Sequence, residues 1–146
     1  MPVKIFQIHD GTVPGCPPPL SVEITETEIL LVTKYKYDLG NNRVACSGKE
    51  SFHDRAKFGS FPKIDFPRDG TPHEFRAEVD FKGNQHFYID IYLDEKLVIG
   101  GLYAPPIENK HWIPSKSFFF KHGVYSEKMF DYEFISTNVE LKRVSK

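Results

Sequence analysis

Six histidines, His9, His53, His73, His86, His111 and His122, are the first residues to examine for chemistry. None stands in an HExxH or comparable ligand spacing, so their pattern predicts no metal centre. His9 is followed by Asp10 and His53 by Asp54. Neighbours on a strand point to opposite faces, so neither pair is placed to cooperate. No GxSxG, no phosphate-cradling glycine loop and no paired Cys-His nucleophile occurs. Asp90 and Asp94 are four apart and would share one face of a strand. A glycosidase sets two carboxylates about 5–9 Å apart across a cleft, whereas these two read as solvated polar positions. The expectation is a protein that is not an enzyme and holds no cofactor. The stretch KYKY at residues 34–37 is more informative. Lys34 and Lys36 share one face of an extended chain, Tyr35 and Tyr37 the other. Either the tyrosines enter the core and the lysines meet water, or the lysines form a basic strip for an acidic or polyhydroxyl ligand. Single-stranded nucleic acid would need the aromatics on the same face as the bases.

The elements that must position these residues are strands. Leu20, Val22 and Ile24 alternate with Ser21, Glu23 and Thr25, as in a half-buried strand. Residues 29–37, ILLVTKYKY, read as one continuous strand. The turn signal DLGNN and a short return strand over 43–47 make residues 29–47 a hairpin. Residues 58–72 hold Pro62, Pro67, Gly70 and Pro72 and exclude regular helix. Phe75, Ala77, Val79 and Phe81 alternate with polar residues, and Phe87, Ile89, Ile91 and Leu93 do so after a turn at 82–85. A further strand runs over 97–99 and ends at Gly100 and Gly101. Residues 104–117 form a long loop, 118–120 a short strand, and 132–144 a closing segment of weaker alternation. No helical periodicity persists over three turns. Eight to ten short strands in one all-β domain predict an antiparallel sandwich or barrel.

Composition agrees. The chain has 146 residues, 13 Phe, 7 Tyr and 11 Pro against 2 Met, a balance that favours β structure. Nineteen Lys and Arg nearly cancel 20 Asp and Glu, giving a net charge of -1. A nucleic-acid domain usually carries a basic excess, so that partner class is not expected. The longest apolar run, residues 29–32, is too short to span a membrane. The N-terminal MPVKIFQIHDG carries neither an apolar signal region nor a small-residue cleavage site. A soluble protein is expected, cytoplasmic or exported by an unconventional route. Cys16 and Cys46 read as free thiols.

LSVEI, ILLVTKYKY, NNRVACS, FHDRAK, DFPRDGTPHEFRAEV, HFYIDIYLDEK and FISTNVELKRV follow one another with gaps similar to those of a galectin. The family has His-Phe-Asn-x-Arg-Phe, Val-x-Asn-Ser, Trp-Gly-x-Glu-x-Arg, Pro-Phe-x-x-Gly, a Phe-x-Val-x-Val-Asn-Gly hairpin and a closing Gly-Asp-Val-x-Leu. The chain resembles it over residues 20–144, chiefly in scaffold features. The resemblance implies a galectin-like jelly roll, an antiparallel β-sandwich that binds carbohydrate without catalysis. It implies a glycan or glycoprotein partner, and it permits a homodimer through edge or terminal strands.

The family's sugar contacts fall on altered residues. Val32 stands at the His position, Lys34 at the first Asn, Lys36 at the Arg and Cys46 at the second Asn. Phe52 falls near the stacking Trp, Arg55 at the Glu and Lys57 at the final Arg. Val32 and Cys46 supply little hydrogen bonding, and Lys does not replace the fork of Arg. Weak or absent lactose binding follows from the loss of specific hydroxyl partners. A groove holding Lys34, Lys36, Arg55 and Lys57 would favour a sulfated or acidic glycan, or an acidic protein surface on a scaffold that has lost sugar binding. The front of the chain departs from the family: residues 1–19 include VPGCPPP, and KIFQI reads as a shortened first strand. Residues 105–117, with the single tryptophan Trp112, and the segment HGVYSEKMFDY exceed the family's usual length.

Overall fold

The computed structural model describes residues 3–10, 18–41, 43–47, 52–54, 63–66, 69–83, 86–104, 118–125, 135–138, 140 and 142. Among them are eleven strands and no helix. In chain order these are β1 (Val3–Asp10), β2 (Leu20–Ile24), β3 (Glu28–Thr33), β4 (Tyr35–Gly40), β5 (Arg43–Ser47) and β6 (Phe52–Asp54). Then come β7 (Lys63–Asp65), β8 (Phe75–Gly83), β9 (His86–Leu93), β10 (Lys96–Tyr103) and β11 (Phe118–Tyr125). A five-stranded sheet runs β11-β1-β2-β3-β7, a four-stranded sheet β6-β10-β9-β8, and β4 and β5 pair apart. Every pairing is antiparallel.

The protein is an all-β antiparallel sandwich, because the core takes one face from each large sheet. Ile5, Ile8, Leu20, Val22, Ile29 and Leu31 come from the five-stranded sheet. Phe87, Ile89, Ile91, Ile99 and Tyr103 come from the four-stranded one. Each such side chain contributes about 1.5–3 kcal/mol on burial. Phe87 stacks on Tyr103 at 4.6 Å and meets Phe118 edge-on at 5.6 Å, tying the two sheets together.

Several expected elements differ. The strand over 29–37 divides at Lys34. The Lys34 N–H still donates to the Pro19 carbonyl at 2.7 Å, and its own carbonyl accepts from the Tyr103 hydroxyl at 2.8 Å. That joint anchors the chain to both large sheets, and beyond it β4 leaves β2 to pair with β5. The hairpin is thus 35–47, and β3 instead pairs with β2 and β7. β7 falls within the proline-rich stretch, where the prolines exclude regular helix and no strand is expected. β1 is a full eight-residue strand inside the sheet, not a shortened one. β10 continues through Gly100 and Gly101, which pair with Asp90 and Ile89; the ladder outweighs the weak strand preference of glycine. The strand expected over 118–120 extends to Tyr125. Residues 135–138, 140 and 142 of the closing segment carry no strand. The loop 105–117, with Trp112, lies outside the described residues.

Candidate functional site

Residues directly opposite in an antiparallel ladder share a face. Val32 pairs with Ser21, Ser21 with Gln7, and Gln7 with Lys121. This row crosses four strands, about 14 Å at the usual strand spacing. Leu20 and Val22 point into the core, so Ser21 and its row stand on the opposite face. A parallel row joins Leu30, Glu23 and Lys4. The face is polar and largely sequestered: Gln7, Ser21 and Glu23 are all buried. Each buried group finds a partner, as burial without one is costly. Ser21 Oγ donates to Glu23 Oε1 at 3.0 Å, and Lys4 Nζ lies 3.9 Å from the same oxygen.

A cavity of about 340 Å³ opens on this face between β1 and β11, lined by Lys4, Gln7, His9, Pro18, Lys121, His122 and Gly123. His9 is its centre. Its Nε2 lies 2.6 Å from Gln7 Oε1. A carbonyl oxygen only accepts, so Nε2 carries the proton and Nδ1 takes any second one. The ring stacks on Phe119 at 5.3 Å, and Lys121 Nζ stands 5.7 Å from the same Phe119 ring. Phe119 remains 42% exposed. Burial first, and then the positive charges of Lys121, Lys36 and Lys4, hold the His9 pKa below its ordinary 6.5. The cluster is therefore electropositive, a feature its sequence positions did not display.

The residues selected by sequence are distributed over three sheets. Val32 is half-buried on β3 and belongs to the polar row. Lys34 is half-buried at the joint between β3 and β4. Lys36 is only 4% exposed, so it neither meets water nor forms an open basic strip. It lies within electrostatic reach of His9. Cys46 is the cross-strand partner of Lys36 on β5. It is disulfide-bonded, which corrects the reading of free thiols; the chain's other cysteine is Cys16. Phe52 pairs with Tyr103 on β6, in the four-stranded sheet. Arg55 and Lys57 lie outside the described residues.

Sequence reasoning missed Lys4, Gln7, His9, Lys121 and His122. Gln7 with His9, and Phe119 with Lys121, do show the two-residue spacing of one strand face. What the spacing could not supply was the pairing of two strands more than a hundred residues apart.

The outer face of the four-stranded sheet is different in kind. Arg76 pairs with Glu78 and Lys82 with Asp80, and the Arg76 guanidinium lies 3.8 Å over the Tyr92 ring. The charges of these two pairs neutralise one another. Asp90 stands opposite Glu78 on this face. Asp94 lies in the turn instead of sharing the strand face with Asp90.

No protein-family model, no curated protein and no solved structure matches the chain.

Proposed function

We propose that this protein is a non-catalytic, lectin-like carbohydrate-binding protein of galectin type, with a divergent site that favours acidic or sulfated glycans over simple β-galactosides. The observation that carries the reading is the electropositive cavity on the face that holds Val32, where three lysines act on His9. A sulfate or carboxylate on a sugar would be drawn to it. Exposed Phe119, stacked on His9, offers an aromatic plane to the apolar side of a sugar ring. The Cys46 disulfide favours an extracellular setting, because such bonds persist in oxidising compartments. A glycan array with sulfated, sialylated and neutral lactose-series ligands tests the reading. Selective binding to the acidic ligands, weakened about tenfold or more in Lys121→Ala, is the expected result. Binding to neutral ligands alone, or none by folded protein, contradicts it.

A second reading has its own observation. Phe81, Phe119 and Phe120 are exposed, and Phe81 contacts Phe118 and Phe120 where β8 and β11 approach. An apolar cluster there would suit a protein-interaction module that has lost sugar binding. A blank array together with retention of an acidic protein partner, lost in Phe81→Ser, would favour it.

A further inference from the structure

We infer that the cavity between β1 and β11 is a binding site for a tetrahedral oxyanion, the sulfate or phosphate monoester of a larger ligand, and that His9 makes this binding proton-dependent. The inference deepens the proposed reading by naming the charged group and its regulation. It rests on that reading only for the sugar that would bear the anion.

The geometry supplies donors of the required kind. Lys4, Gln7, Lys121 and His122 line the cavity together with His9. Among the described residues, the charged groups that act on His9 are Lys4 on its own strand, Lys36 on β4 and Lys121 on β11. Glu23 on β2 reaches the group through Lys4, at 3.9 Å. His122 on β11 is the second titratable ring at the cavity, and its Nε2 lies 3.3 Å from Ser136 Oγ. An empty cluster of this sort repels the proton from His9. An anion placed among the lysines opposes that field, a dianion more strongly than a monoanion. An opposite charge within about 4–6 Å raises a histidine's pKa by about one unit or more, and one unit corresponds to tenfold in affinity. Coupling is reciprocal, so the proton on His9 tightens the anion by the same factor.

Inorganic sulfate is the probe of choice, because it stays a dianion from pH 5 to 7.5, whereas a phosphate monoester titrates near pH 6 and would mask the effect. In calorimetric or chemical-shift titrations of the whole chain, sulfate is expected to bind about tenfold more tightly at pH 5 than at pH 7.5. In His9→Gln that ratio falls to near one, and Lys121→Ala weakens binding at both pH values. The His9 ring resonances of the unaltered protein provide a reading that needs no variant: its midpoint moves upward when sulfate is added. Affinity that ignores pH, a His9 midpoint that ignores sulfate, or a pH ratio abolished by His122→Gln and kept in His9→Gln would each overturn the inference. A sulfated galactoside that binds no better than methyl sulfate, with the pH ratio intact, leaves the anion site standing and removes the sugar. Methyl phosphate preferred over methyl sulfate at pH 5, where each carries about one negative charge, identifies the phosphate source at the same site.

Discussion

His9 and Asp94 titrate under opposite influences, and their effects on stability occupy different pH windows. His9 is held below its ordinary 6.5 by burial and by Lys121, Lys36 and Lys4. Between that depressed value and 6.5 the unfolded chain binds more protons than the folded one, so stability falls as pH drops through this window. Urea unfolding of His9→Gln at pH 5 and 7.5 is expected to show a smaller loss on acidification than the unaltered chain; an identical loss would contradict it. Asp94 is pulled down from 3.8, first by its hydrogen bond to His73 and then by the Glu74 N–H. Its contribution is present above 3.8 and is lost as pH falls through the lowered value. At the neighbouring hairpin, the Cys46 disulfide fixes the strand position opposite buried Lys36. Cys46→Ser is expected to lower unfolding free energy by about 2–4 kcal/mol, read as a shift in the urea midpoint. An unchanged midpoint would remove the disulfide from the account. Free thiols were the natural reading of two widely spaced cysteines, since pairing depends on tertiary approach and leaves no local mark.

Among the elements, the β8–β9–β10 meander was the most legible. Its apolar alternation is regular, and the turn at Asp94 and Glu95 adopts φ of 50° and 64°, the left-handed pair that joins twisted strands through a two-residue loop. Asp94 belongs there, because its carboxylate receives the Glu74 N–H at 2.9 Å and contacts His73 at 2.7 Å. Glu95 has no such role among the described contacts and carries the steric cost of φ above zero. Glu95→Gly is therefore expected to stabilise the protein by about 0.5–1 kcal/mol, measured as a rise in melting temperature; a fall would contradict it. Phe87, fully buried and stacked on Tyr103, marks the opposite extreme, and Phe87→Ala is expected to cost about 3–5 kcal/mol. The 29–37 segment was less legible. Its alternation is unbroken to Thr33, but the joint at Lys34 is set by Pro19 and Tyr103, residues distant from the local pattern.

For the whole molecule, the strand-rich composition and turn spacing were enough to indicate an all-β antiparallel sandwich. The order of sheets was not, because β11 joins β1 across most of the chain. The same long-range pairing assembles the cavity, and its lining residues Lys4, Gln7, His9, Lys121 and His122 are not among the positions that the galectin resemblance selects. The proposed ligand class rests on that cavity being where the ligand sits. The most direct test is an amide and side-chain chemical-shift map recorded with a sulfated oligosaccharide. Shifts centred on Gln7, His9, Phe119 and Lys121, spreading along the row toward Val32, are the predicted result. Shifts confined to the ion-paired face around Tyr88 and Tyr92, or a spectrum that does not respond, would contradict the account.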